Sequence, residues 1–497
     1  MQKQNELRND SMKESLTIFI IGLLLVSGSC AQETERTGDQ LLSFGEGGQI
    51  KMLYDRRQRP QSVYLNDMVY IVFNAGGEEG APASSPTKPM IVRYDPMTSE
   101  FSDIVTLGPG DDDHHYGPVI WTDEDDHLHV LYGCHSSPGT HLISKEPAHI
   151  GSSLDDWTVG SEIAPKISYP TLYRISENKT LIYYRTAGHI SSWTYRISED
   201  NGKTWSGPEN DVTDLDSKGR FEWSSYQSKL PGKDGRSLHV VFTAYDDNRK
   251  DDPQRYYNPR YDKAVSNEWK YNLYYVKIDV ETGEVSNFEG HKMVTPIDLD
   301  QANSKCMIWD TEWRGAGVPP DIVLDENGDP AFLHVLSGQS TESHSYYFVH
   351  RSEGTWKKTP IALANHQWNS CHINRDLDGI YHAYLVVGEE YIDTEWVEGK
   401  SKGDNFKKGE SNYLKTGGYM DKHGGGIIEE WISHDKGDSW ERFRNIVPNV
   451  SEYPGWRYNN IQPVTEPDGS TVEGMLLFYG WKEKDAPEAK AFLFHEN

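Results

Sequence analysis

Along most of the chain, apolar and polar positions alternate with period two over short runs, and the runs come in pairs separated by turn residues. RPQSVYLNDMVYIVF, from Arg59, shows the pattern: a short strand, a turn built on Asn and Asp, then a longer apolar strand. The same layout returns in YGPVIWTDEDDHLHVLY from Tyr116, YPTLYRISENKTLIYY from Tyr169 and YQSKLPGKDGRSLHVVF from Tyr226. It returns again in VPPDIVLDENGDPAFLHVL from Val318, SCHINRDLDGIYHAYLV from Ser370 and NIQPVTEPDGSTVEGMLLF from Asn460. Each copy predicts a β-hairpin, because the turn residues tolerate left-handed backbone while the flanks favour strand. A hairpin cannot bury its own face, but seven such units, with roughly 50–90 residues from one to the next, leave room for two outer strands each. The expected fold is therefore all-β, a seven-bladed β-propeller. The long stretches 246–316 and 388–458 are expected to hold outer strands and long loops, AFLFHEN to join the last blade, and the QIKMLY stretch to complete the ring.

Two further segments fit Ser-x-Asp-x-Gly-x-x-Trp: SEDNGKTW (Ser198–Trp205) and SHDKGDSW (Ser433–Trp440). In such an Asp-box the Ser and Asp side chains satisfy turn N–H groups, Gly takes the left-handed angle and Trp packs on the blade. It supports a propeller and says nothing about chemistry. His129, His239, His334 and His382 occupy equivalent positions in the second strand of their hairpins and are read as framework residues.

The N-terminus departs from this pattern. MKESLTIFIIGLLLVSGSC places a lysine ahead of an apolar run too short to span a bilayer, then small residues and Cys30. Residues 1–30 are read as a signal peptide with a lipobox-like end, lipidated on Cys30, with 31–497 a single propeller domain. The protein is expected outside the cytoplasm, on the outer membrane or cell surface or in the periplasm of a Gram-negative bacterium, as a monomer. The formal net charge is −28, and residues 1–30 carry as many acids as bases. That balance makes nucleic acid an unsuitable partner and requires a locally basic cleft for any polyanionic substrate. Beyond Cys30, the cysteines are Cys134, Cys306 and Cys371, an odd number that excludes a pure disulfide framework.

A hairpin returns the chain to the side it left, so residues opening its first strand and closing its second share one rim. By that geometry His115, His135, Tyr169, Arg185 and Tyr226, from three consecutive repeats, meet at one end of the channel, with His114 an alternative to its neighbour. Two His, two Tyr and an Arg without a flanking pair of carboxylates disfavour ordinary glycoside hydrolysis. They suit β-elimination: an Arg fork neutralises a uronate carboxylate, and a His and a Tyr, its phenol lowered by nearby cations, supply base and acid.

On HHYGPVIW…HLHVLYGCHSS, Tyr169-Pro…Tyr184-Arg185 and Tyr226 in WSSYQ, the chain resembles the ulvan lyases among the seven-bladed propeller polysaccharide lyases, within the BNR-repeat group. The resemblance extends over most of the mature chain. It implies His115 and Tyr169 as the proton-transfer pair, leaving open which is the base. It further implies Arg185 as carboxylate neutraliser and His135 and Tyr226 as supports or substrate binders. The implied substrate is ulvan, a sulfated algal polysaccharide of rhamnose 3-sulfate alternating with uronic acid, with Asn248–Lys263 lining the cleft or forming a solvated loop. It also implies a structural zinc and no organic cofactor. Cys306, Cys371 and His372, completed by His239 or His366, are the candidate ligands, against a Cys306–Cys371 disulfide or buried thiols. The rival functions are a sialidase-like hydrolase, suggested by the Asp-boxes and by RRQRP at Arg56–Pro60, and a non-catalytic glycan-binding surface propeller.

Overall fold

The computed structural model describes residues 39–47, 52–76, 86–188, 191–215, 224–245, 257–265, 269–341, 343–364, 366–387, 424–447, 453, 455–482 and 488–496. Residues Gly38–Asn497 form one compact unit. The signal and lipidation expectations, and most of Asn248–Lys263, fall outside the described residues. Among these, no helix is long and apolar enough to cross a membrane.

All seven predicted hairpins form, and each supplies the two innermost strands of an antiparallel blade. In chain order the inner strands are Ser62–Leu65, Val119–Thr122, Ile167–Ser176, Ser224–Pro231, Asp321–Leu324, Cys371–Arg375 and Arg457–Thr465. Each touches the next around the ring, and the seventh touches the first. The fold is a seven-bladed β-propeller. Nearly every residue of the second strands is buried on both faces, as in Met68–Ala75 and Ser237–Tyr245, because neighbouring blades cover both sides of each sheet.

The outer strands fall where the long segments allow: Lys270–Asp279 with Val285–Ser286 in the fourth blade, and Ile427–Ser433 with Glu441–Asn445 in the sixth. The ring closes differently from expectation. Gln40–Glu46, not the QIKMLY stretch, pairs with Glu488–His495 as the outermost strand of the last blade. AFLFHEN does lie in that blade. Residues 52–61 instead thread the axis, where Met52 to Gln58 are all buried.

Both Asp-boxes have the expected geometry. In the second, the Gly437 amide donates to Ser433 Oγ at 2.8 Å and the Ser439 amide to Asp435 Oδ1 at 2.8 Å. Gly437 sits at φ +90°, and a Cβ there would lie 2.1 Å from the Phe348 ring. His129, His239 and His334 are buried in their blades and His382 is partly so. His129 and His382 each hydrogen-bond a carboxylate of their own blade, consistent with framework roles.

Candidate active site

Strand ends from the second, third and fourth blades build one cluster. The third blade's inner strand is bulged, because its register with Lys179–Arg185 shifts between Ser168 and Thr171. Within the bulge Tyr169 takes φ +56°, a left-handed conformation rare for a bulky residue. Ser168, beside it, faces Arg185 on one side and His135 on the other. Its hydroxyl accepts from the Ser136 amide at 2.8 Å and donates to the Ala187 carbonyl at 2.9 Å. Arg185, Tyr169 and His135 are thereby held around one serine. His115 arrives on a short 3-10 turn, His114–Tyr116, whose capping residue Asp113 accepts from the His115 amide at 3.0 Å.

The structure brings together all five residues expected on the rim. The rings of His115 and His135 stack at 4.2 Å, and both lie within about 6 Å of the Tyr169 ring. The Tyr169 and Tyr226 hydroxyls are 3.3 Å apart. The Arg185 guanidinium lies 4.6 Å from the Tyr169 ring centre and 5.2 Å from that of Tyr226. Arg185 is fully buried; its Nε donates to the Ala187 carbonyl at 3.2 Å, and among the described residues neither terminal nitrogen has a hydrogen-bond acceptor. A buried guanidinium with an empty fork is suited to receive a carboxylate.

Sequence reasoning missed four contributors. Asp113 accepts from Nδ1 of His115, and its other oxygen lies 2.7 Å from Nδ1 of His135. An Nδ1–H bond to a carboxylate leaves each imidazole's Nε2 as the lone-pair nitrogen. Arg57 and Tyr54, from the axial segment, complete the floor. The Arg57 guanidinium lies 4.7 to 5.2 Å from the rings of Tyr226, Tyr54 and Tyr169 and is clamped by Asp55 through both carboxylate oxygens. Lys270 Nζ sits 4.7 Å from the Tyr226 ring centre. Asp113 stood in DDDHH as an available signal, whereas Arg57 and Tyr54 precede the first hairpin and carried no repeat position to mark them.

Electrostatics separates the groups. Burial works to raise the Asp113 carboxyl, but hydrogen bonds and charge from His115 and His135 outweigh it and hold the group well below the usual carboxylate range. For Tyr169, burial and then the adjoining Tyr226 phenol push the phenol above its ordinary value, and the opposing pull of Arg185 and Arg57 is smaller. The expectation that nearby cations lower this phenol is therefore corrected: with its ring in the core, desolvation of the phenolate wins.

The expected zinc ligands do not converge. Cys371 and His372 are adjacent on a strand and face opposite ways: the Cys371 Sγ is 3.3 Å from the Arg56 guanidinium, while His372 Nδ1 meets Asp321 Oδ2 at 2.9 Å. His239 pairs with the Tyr275 hydroxyl at 2.7 Å, and Cys306 ends a helical turn, Ala302–Cys306, outside the fourth blade. Cys134, Cys306 and Cys371 are buried free thiols, so no Cys306–Cys371 disulfide forms. The group among the described residues whose ligand atoms lie close enough to share a metal ion is Asp113, His115 and His135. RRQRP does not present an arginine triad either. Arg56 bonds the backbone of the fifth and sixth blades, Arg57 reaches the cluster, and Arg59 turns away to Asp321 and Gln462.

Comparison with known proteins gives a consistent set. A family model described as "BNR repeat-containing family member" matches residues 83–364, more than half of the chain. An "Ulvan Lyase-PL25" of Pseudoalteromonas sp. (strain PLSV) is 24% identical over 481 residues, covering 88% of this chain and 85% of that protein. An "Ulvan lyase" of Nonlabens ulvanivorans is 21% identical, covering 84% and 88%. A solved polysaccharide lyase PL25 ulvan lyase superposes with a TM-score of 0.68 at 17% identity, over 92% of this chain and 96% of that one. A second structure of that type is bound to -[GlcA(1-4)Rha3S]-.

Proposed function

The chain belongs to the BNR repeat-containing family, and on that footing we propose that it is a polysaccharide lyase that cleaves ulvan by β-elimination at the uronic acid residue, leaving 4,5-unsaturated uronate ends. The ulvan lyases that it resembles over most of both chains support the substrate. The observation that carries the chemistry is the buried fork of Arg185, unpartnered among the described residues, beside Tyr169 and the paired imidazoles.

The uronate carboxylate docks on the Arg185 terminal nitrogens, with Tyr226 alongside, which neutralises its charge and stabilises the carbanion character that develops at C5. His115, its Nδ1–H oriented by Asp113, takes the C5 proton on Nε2. The C5–H electron pair becomes the C4=C5 double bond, the C4–O4 bond breaks, and the departing O4 takes the Tyr169 proton. The raised phenol favours this assignment, because Tyr169 enters the reaction protonated and serves as the acid. His135 shares Asp113 with His115 and steadies the pair. Proton exchange with solvent restores both groups. Hydrolysis is less well served, since Asp55 is clamped by Arg57 and Asp113 lies between the two imidazoles.

Digestion of ulvan in H2(18)O tests the reading. Elimination yields products with an ultraviolet-absorbing double bond and no heavy oxygen at the new ends; hydrolysis would yield heavy oxygen and no such absorbance. Export through residues 1–30, with lipid on Cys30, forms part of the proposal. Palmitate labelling that survives Cys30→Ala would rule the anchor out.

A further inference from the structure

The axial channel has a second mouth, at the turn end of the inner hairpins and opposite the Tyr169 cluster. There a cavity of about 370 Å3 is lined by the inner strands of the third to seventh blades and by the axial segment. In a chain with a net charge of −28, this lining carries five Arg and Lys side chains against three carboxylates. Among the described residues several of its polar atoms are buried without a partner: Arg59 Nη2, Arg375 Nε, His372 Nε2 and the acceptor Asn374 Oδ1; Arg375 Nη2 lies 3.4 Å from the Glu326 carboxylate. His372 itself is only 3% exposed.

One of the three carboxylates is already committed. Asp321 accepts from His372 Nδ1 at 2.9 Å and from the Ile373 amide at 3.1 Å, and its other oxygen lies 3.4 Å from Arg59 Nη1. It orients the imidazole and guanidinium that line the pocket. Lys229, 3% exposed, donates to the backbone carbonyls of Arg57 at 3.3 Å and Gln227 at 3.4 Å, and its Nζ lies 5.1 and 5.5 Å from the ring centres of Trp193 and Tyr183. Burial, and then the charge of Arg59, hold the Lys229 amine well below its ordinary value; an anion beside it would favour the ammonium and supply the acceptor that Arg59 Nη2 lacks among the described residues.

From this arrangement we infer that the turn-end mouth is a second, non-catalytic binding site for a sulfate group, held by Arg59, Lys229 and Arg375. His372 Nε2, with Nδ1–H committed to Asp321, accepts a hydroxyl beside the sulfate. A sulfate ester on a sugar supplies both groups, whereas inorganic sulfate supplies only the charge. None of its side chains belongs to the Tyr169 cluster; Lys229 alone reaches toward it, through the Arg57 carbonyl and the Trp193 ring.

Isothermal titration of the full-length protein with inorganic sulfate, with a monosaccharide sulfate and with its desulfated form distinguishes the two sources. Binding of the ester tighter than sulfate, with no binding of the desulfated sugar, is expected. Arg375→Gln, at the rim, and Lys229→Met should each weaken binding by ~10-fold or more, the usual worth of a hydrogen bond to a charged group. Ulvan turnover in Arg375→Gln should stay at the wild-type rate. Selenate soaked into crystals should give an anomalous peak against Lys229 and Arg375. If Lys229→Met fails to fold, Arg375→Gln decides. Equal affinity in wild type and Arg375→Gln, absence of binding, or selenate found only beside Arg185 would overturn the inference.

Discussion

At Tyr169 a bulky side chain sits at φ +56° inside a strand, a strained placement that local packing must hold and that aims the phenol at the imidazoles of the preceding blade. Asp113 is the matching device on the other side, one carboxylate serving two imidazoles. Asp113→Asn would keep the shape but lose the acceptor that fixes both tautomers, so kcat should fall by ~10²-fold or more while the melting temperature changes little. Steady-state kinetics with calorimetry checks both. Arg57→Gln removes a cation from beneath Tyr169 and Tyr226 and unpairs buried Asp55. It should lower both stability and turnover, separating it from Asp113→Asn. Such roles were only partly legible in the sequence. His115, Tyr169 and Arg185 occupy strand ends that repeat alignment locates, whereas Arg57 and Tyr54 reach the cluster through an axial excursion that follows no period.

The element scale is where the sequence was most readable, because each hairpin carries its own turn chemistry and its own alternation. All seven formed where the pattern placed them. The outermost closing strand was less legible: Gln40–Glu46 gains its meaning only from a partner more than 440 residues away. The zinc ligands do not converge for a related reason, since adjacent residues of one strand, such as Cys371 and His372, point to opposite faces and cannot be pooled by proximity in sequence. Two tests belong here. Gly437→Ala meets both a φ of +90° and the Phe348 ring, and should destabilise by about 2 kcal/mol or more with turnover per folded molecule unchanged. Burial lowers His239 to about 4 from an ordinary 6.5, so the unfolded chain binds this proton first. Stability is then full above about pH 6.5 and declines toward pH 4, by on the order of 3 kcal/mol for this residue alone. Denaturant melts across that range should show the loss, and His239→Gln should flatten it.

Across the whole molecule, the propeller gathers rim residues that are far apart in sequence into one channel and sets cationic groups inside a strongly acidic chain. Long-range repulsion of a polyanion is screened beyond roughly 8 Å in physiological salt, while a buried guanidinium is screened far less. Initial rates on ulvan should therefore rise as salt is added from low ionic strength, through faster association rather than faster chemistry. The central claim is that Arg185, Tyr169 and His115 act together on a single uronate. It is tested most directly by following ultraviolet absorbance during ulvan digestion with wild type, Arg185→Ala, Tyr169→Phe and His115→Ala, each shown to be folded by circular dichroism. The account predicts a steady rise for wild type and nearly flat traces for the three variants. A variant that is folded and as fast as wild type would contradict it.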